Sequence, residues 1–254
     1  LKRGGWALCG PFGYLIGCSM TTFINLTNEL LRRLNEVEIG FSDFVGVKNV
    51  QSLAKDAINS SIREILQDSQ EWPFTLVTYE QSLTAGVGTY SFPADFSKVD
   101  WDTFYLTTTN NTSPSFLKTI TYDTYLKEVR ANDEVAGAAG YTLPVNVYKT
   151  QETKFGITPV PDKAYTVEYR YWKFPADLAA AEDVCTIPNR FKHVVIDGAM
   201  MYMMQFRSND QAYQLHSVKF AEGIKTMRRL NVDSYEYVTS TALRGTHTLK
   251  ARSF

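Results

Sequence analysis

Apolar and polar positions along the chain change rhythm twice. Over residues 21–38, Leu26, Leu30, Leu34 and Val37 recur on one face while Glu29, Arg32, Arg33 and Glu36 fall elsewhere, which predicts an amphipathic helix ended by Gly40. A second helix is predicted over 48–69, where Val50, Leu53, Ala54, Ala57, Ile58, Ile62, Ile65 and Leu66 keep the i, i+3, i+4 spacing. It stops before Trp72-Pro73, because proline restricts its predecessor and cannot continue the hydrogen-bond ladder. The period then falls toward two. Residues 75–83, 90–92, 99–108, 115–121, 145–149, 154–158 and 166–172 read as strands. Gly86-Val87-Gly88, Asn110-Asn111, Pro144 and Pro159-Val160-Pro161-Asp162 supply turn chemistry between them. Residues 122–130 predict a short helix and 137–140 a flexible break.

Helical spacing returns after Ala179-Ala180-Ala181-Glu182-Asp183. Pro188 suits a first helical position, and Phe191, Val194, Val195, Ala199, Tyr202 and Phe206 line one face. Ser208-Asn209-Asp210 caps a last helix over 211–230, which carries Leu215, Phe220, Ile224 and Met227. Neither terminal helix pair has enough partners to bury its apolar stripe alone, so the two pairs are expected to pack together. The expected fold is therefore α+β: a discontinuous α-helical bundle (20–72 and 182–231), an inserted, mainly antiparallel β domain built from hairpins (73–181) and an extended C-terminal arm (232–254). Residues 1–19 form an N-terminal extension.

Composition narrows the function classes. The chain has 254 residues, 44% of them hydrophobic and 13% aromatic, with a net charge of −1. Intrinsic disorder is excluded by that apolar content, and a free-standing nucleic-acid binder by the lack of a cationic excess. No apolar run reaches the ~18–20 residues that span a bilayer. Cys9, Cys18 and Cys185 are too few for a disulfide framework, so the chain reads as a soluble protein of a reducing compartment. Lys2-Arg3, an apolar stretch and Leu15-Ile16-Gly17-Cys18 outline a bacterial lipoprotein signal, with Cys18 as the acylated residue. Gly10, Pro11 and Gly13 interrupt it, and an upstream extension ahead of Met20 is the preferred reading.

Catalytic chemistry is sparse. His193 and Asp197 stand i, i+4, a spacing for two metal ligands, an acid–base pair or a surface ion pair, and apolar neighbours favour the ion pair. His216 is read in the same way. Gly86-Val87-Gly88 lacks the Lys-Ser/Thr of a phosphate loop and reads as a hairpin turn. Cys185 reads as a small buried hydrophobe. No catalytic residue, metal site or cofactor is expected, and the chain is read as a non-enzyme. Tyr165, Tyr169, Tyr171 and Trp172 mark core packing on one strand. Met200, Met201, Met203 and Met204 lie in a stretch apolar nearly all round, for which a partner subunit is a natural cover. The tail, with Arg244, His247, Lys250 and Arg252, is either solvated or an arm that folds onto an acidic partner.

Four passages in order carry a resemblance. They are Phe23-Ile24-Asn25-Leu26-Thr27-Asn28-Glu29-Leu30-Leu31-Arg32-Arg33-Leu34-Asn35-Glu36-Val37, Glu71-Trp72-Pro73-Phe74, Tyr90-Ser91-Phe92-Pro93-Ala94-Asp95-Phe96, and Tyr169-Arg170-Tyr171 through Pro175-Ala176-Asp177-Leu178 to Ile187-Pro188. Over residues 20–230 the chain resembles the head-to-tail adaptors of short-tailed bacteriophages, the tail tubular protein A type. The resemblance implies a virion protein: a homo-oligomeric ring of about twelve copies below the portal protein and above the tail nozzle protein, assembled in the host cytoplasm, with double-stranded DNA passing through its channel unread. Under that reading Arg244, Lys250, Arg252 and Phe254 are portal contacts of the arm. Met200, Met203, Met204 and Phe206 are bundle or subunit contacts. The rival reading is a membrane-anchored bacterial lipoprotein with a β ligand-binding module, held through Cys18.

Overall fold

The computed structural model describes residues 21–68, 71–107, 115–130 and 137–231; within them the chain is α+β, with helices on both sides of a β region. Helix α1 (Phe23–Arg33) buries Phe23, Leu26, Leu30 and Leu31. It is shorter than its apolar spacing predicts. Asn35 takes a left-handed φ of 57°, Glu36 N–H donates to the Leu31 carbonyl at 2.9 Å, and Asn35 N–H to the Arg32 carbonyl at 3.1 Å. This Schellman closure, with Asn at the position glycine usually takes, ends the helix well before Gly40. Val37 therefore leaves the helical face to which its spacing assigned it, and is exposed.

Helix α2 (Val50–Asp68) buries Ala54, Ala57, Ile58, Ile62, Ile65 and Leu66, as its spacing predicts. Trp72 tucks under its end and donates Nε1–H to the Ile65 carbonyl at 2.8 Å. After a 3₁₀ turn (Asn189–Phe191) capped by Pro188 come α3 (Lys192–Phe206) and α4 (Asp210–Asn231). Proline thus precedes the helical turn and does not begin α3. Ser208 at φ 52° closes α3, and the Asn209 side chain caps α4 by accepting from Ala212 N–H at 3.2 Å.

Glycines set the helix spacing. A Cβ on Gly198 would lie 2.3 Å from Ser61 Oγ of α2 and 2.6 Å from the Phe220 ring of α4, and one on Gly223 would lie 2.8 Å from Val194 of α3. Ser61 completes the contact by donating to the Val195 carbonyl at 2.9 Å. One hydrophobic core joins α1 and α2 to α3 and α4, from Phe23 and Ile58 to Val195, Met203 and Met227. Besides Val37, two residues assigned to buried faces are exposed instead. Leu215 stands about 140° around α4 from Phe220, which faces the core. Phe206 is in the last turn of α3, beyond the fully buried Met203.

The β region holds β1 (Leu76–Leu83), β2 (Thr89–Ser91), β3 (Phe96–Leu106), β4 (Ser115–Phe116), β5 (Lys118–Ile120), β6 (Asn146–Gln151), β7 (Lys154–Thr158) and β8 (Tyr165–Lys173). They form two four-stranded sheets, ordered β1-β8-β3-β4 and β2-β7-β6-β5. Pairing is antiparallel except between β5 and β6, which run parallel. The turn at Gly86, with φ 77°, does not close a hairpin: it carries the chain from one sheet to the other, since β1 pairs with β8 and β2 with β7. The predicted short helix is a turn (Tyr122–Thr124) that widens into a π turn (Tyr125–Val129), and Gly137–Gly140 winds into a 3₁₀ turn where a flexible break was expected.

The sheets face each other across an aromatic core. The Phe104 ring stacks 4.8 Å from Tyr169 and lies 5.3 Å from Phe155 of the opposite sheet, which in turn lies 5.0 Å from Phe92. The period of two in β8 turns Tyr165, Val167, Tyr169 and Tyr171 inward. Trp172, one residue on, takes the other face, with Lys98 Nζ 5.8 Å from its ring centre. Between Asp100 and Tyr105 the register of β3 on β8 slips. Thr103 fills the gap: its Oγ1 accepts from Arg170 N–H at 3.0 Å and donates to the Asp100 carbonyl at 2.7 Å.

Two substitutions test this packing. Gly198→Ala removes a flexible residue from a helix, a gain of up to ~1 kcal/mol. It also drives a methyl group into Ser61 and Phe220, and overpacking of that kind costs ~1–3 kcal/mol. Chemical denaturation should show a net loss of about 1–2 kcal/mol; unchanged stability would mean that α2 and α4 yield easily. Tyr169 is fully buried, and its hydroxyl has no hydrogen-bond partner among the described residues. Burial, with Tyr79 and Tyr171 nearby, pushes its pKa up. Tyr169→Phe removes that unpaired group, so stability should rise by about 1 kcal/mol. A fall would reveal a partner for the hydroxyl.

Candidate assembly interface

The groups singled out for chemistry are used structurally. Asp197 does not pair with His193, which is exposed; α4 brings His216 Nδ1 to 3.3 Å from its carboxylate, and Arg33 of α1 approaches to 3.7 Å. Beside this cluster, burial pushes the Glu29 carboxyl up, but Lys192 and Arg33 outweigh it and hold the pKa below the ordinary value. Cys185 is buried, and desolvation pushes its thiol up to about 11, so it stays a protonated core residue. Among the described residues no group of three His, Cys, Asp or Glu gathers to hold a metal, and no helix is long and apolar enough to cross a membrane.

The methionine helix is covered by its own chain. Met200, Met201 and Met203 are buried in the core formed with α1, α2 and α4, and Met204 is half-buried against it. Tyr202, on the same helix, donates its hydroxyl to Glu64 of α2 at 2.8 Å. Of the four residues named for bundle or subunit contact, Phe206 alone is openly exposed, at 64%. Arg244, Lys250, Arg252 and Phe254 lie outside the described residues, as do Cys9 and Cys18.

Apolar surface is displayed elsewhere, on the segment joining α1 to α2. The Asn28 side chain clasps Ile39 from both sides, accepting its N–H at 2.9 Å and donating to its carbonyl at 3.1 Å. Phe44 is fully buried, its ring edge-on to Phe23 at 5.2 Å. Lys55 Nζ lies 4.3 Å from the Phe44 ring centre and donates to the Phe44 carbonyl at 3.0 Å. Gln51 donates to the Val37 carbonyl at 3.2 Å, while Arg32 and Arg207 reach Glu38 and Glu36. Between these anchors Val37, Phe41 and Val45 stand 78%, 63% and 86% exposed. Fully burying such a side chain stabilises by ~1.5–3 kcal/mol, and these three stay exposed on a segment whose backbone is tied to the helices at Val37, Ile39 and Phe44. A second apolar pair, Leu215 and Val218, stands on the outer side of α4 at 54% and 57% exposure.

Sequence reasoning missed this loop because Val37 extends the apolar spacing of α1. Gly40 and Gly46, with no helical period between them, were the available signal.

A family model described as SU10 adaptor protein matches residues 21–244, and no match was found among curated proteins. The match spans both helix pairs and the β region between them. The chain belongs to the SU10 adaptor protein family, the phage head–tail adaptors.

Proposed function

We propose that this chain is a structural virion component without catalytic activity: a head-to-tail adaptor that forms a ring of about twelve copies between the portal and the tail nozzle and encloses the DNA channel. The observation that carries the reading is the family match over residues 21–244. The four-helix core gives the ring a rigid wall, the β region meets the nozzle, and residues 232–254 dock on the portal through Arg244, Lys250, Arg252 and Phe254. Phe206 and Met204 lie at the edge open to a neighbour, and Met200 and Met203 stiffen the helix from inside. Lys and Arg number 26 against 27 acids, a balance that suits a wall past which DNA must slide, because clustered cations would hold phosphates.

Mass measurement and electron microscopy on the chain mixed with portal should show a closed ring of about twelve copies. A chain that stays monomeric beside intact portal would overturn the ring. Deleting residues 232–254 should leave a folded protein that no longer joins portal; undiminished attachment would remove the arm assignment.

A further inference from the structure

We propose that residues 235–243 add to the free edge of β1 as a further strand, parallel to it, so that the chain's own tail completes the first sheet. Among the described residues β1 is the outermost strand of that sheet and pairs with β8 alone, in an unbroken register from Leu76–Trp172 to Leu83–Tyr165. Its other edge presents unpaired backbone groups along eight residues. The edge strands β2, β4 and β5 have only two or three residues each. Lysine, proline or a bulge commonly blunts a long edge, and β1 has none of them. The core is unfinished at the same place. Val77, Tyr79 and Gln81 lie opposite Tyr171, Tyr169 and Val167, which point inward, yet Tyr79 is 37% exposed and the other two are only half-buried.

The occupant follows from where the chain leads. Arg228, in the last turn of α4, donates to the Asp68 carbonyl at 3.3 Å and stands 2.5 Å from its carboxylate, at the end of α2. Trp72 tucks under that same end, and β1 starts at Leu76. The chain therefore leaves α4 beside the beginning of β1, and residues 232–234 can span ~10 Å. Residues 235–243 lie outside the described residues, but Tyr235, Tyr237, Val238, Thr239 and Thr241 are strand-favouring types, and with no proline every residue can donate to a ladder. The family match continues past α4 to residue 244 and so takes in this segment. Entering at the Leu76 end, the segment runs parallel to β1. In the register that sets Ser240 beside Ser82, Tyr237 falls beside the exposed Tyr79. Edge pairing of this kind joins extended peptides to sheets, and the short tether makes it intramolecular. The docking needs neither a second copy nor portal, and it leaves Arg244, Lys250, Arg252 and Phe254 beyond the strand.

The test uses the full chain without portal, carrying Cys9→Ser and Cys18→Ser; the buried Cys185 is retained. Ser82→Cys with Ser240→Cys joins the far ends of the two strands, and Ser82→Cys with Glu236→Cys is the reversed arrangement. With a short bismaleimide the first pair should close within one chain, at monomer mass, and the second should stay open. Closure of the second pair alone would overturn the parallel docking, and closure of neither would overturn docking altogether. A mixture of the single variants Ser82→Cys and Ser240→Cys should give no dimer. A dimer there in place of the intramolecular product would assign the tail to a neighbouring copy and overturn the proposal. Val238→Pro with Thr239→Pro removes the donors of two successive residues, one of which faces β1. Hydrogen exchange of the β1 amides should then quicken about tenfold while α2 and α3 exchange as in the parent. Unchanged exchange in β1 would overturn the pairing.

Discussion

The close approach of three helices at Gly198 is the constraint on which the rest of the structure depends. With no side chain there, α3 lies against Ser61 of α2 and the Phe220 ring of α4 at distances a single methyl group would violate, and Gly223 repeats the device one turn along against Val194. Packing at that separation buries most of α3 from Val194 to Met203, which is why a helix apolar nearly all round is at ease in a single chain. The methionines are consistent with this role. Their unbranched side chains fill the irregular space left where helices approach unequally, and Met203 and Met227 are both fully buried there.

Once α3 is enclosed, the segments that enter and leave the helices must be fixed to it without regular hydrogen-bond ladders. The structure uses one device twice. Asn28 clasps both backbone polar groups of Ile39, and Asn59 does the same for Leu178, accepting its N–H at 3.1 Å and donating to its carbonyl at 2.9 Å. Each clasp stands in for the neighbouring strand that an isolated extended residue lacks, which backbone groups leaving water require. Leu178 lies on the return from β8 to α3, where Asp183 accepts N–H bonds from Ala179 and Ala180, both at 2.7 Å, and Phe23 N–H donates to the Asp183 carbonyl at 2.8 Å. Those two amide bonds hold the Asp183 carboxyl below its ordinary pKa. The β region is therefore joined to the helices by bonds at defined residues as well as by apolar contact.

Periodicity made most of this legible. The spacing of Ala54, Ile58, Ile62 and Ile65 marks the buried face of α2, and the alternation of Tyr165, Val167, Tyr169 and Tyr171 marks the inner face of β8. What escaped was decided by backbone conformation or by a partner distant in sequence. Asn35 ends α1 because asparagine tolerates a left-handed φ, although Val37 continues the apolar spacing past it. Gly86 looks like the turn of a hairpin, yet β1 and β2 join different sheets, and turn chemistry does not encode which strand pairs with which. Asp197 has an obvious helical neighbour in His193, but tertiary packing supplies His216 and Arg33. The family emerged from the order of several short passages, while the exposed loop between α1 and α2, which carries no periodic signal, emerged from packing.

The placement of exposed apolar residues follows from the same constraint. Among the described residues the buried faces of the four helices are turned to one another, and exposed apolar side chains stand outside that core, on the α1–α2 loop, at the end of α3 and on the outer side of α4. The described core residues are covered within the chain, so none of them needs a partner subunit for its burial. An obligate interface built from α3 itself would instead leave Met200 and Met203 exposed in the free chain, a patch prone to nonspecific association. The glycine contacts of α3 provide the physical basis for closing that core within one chain.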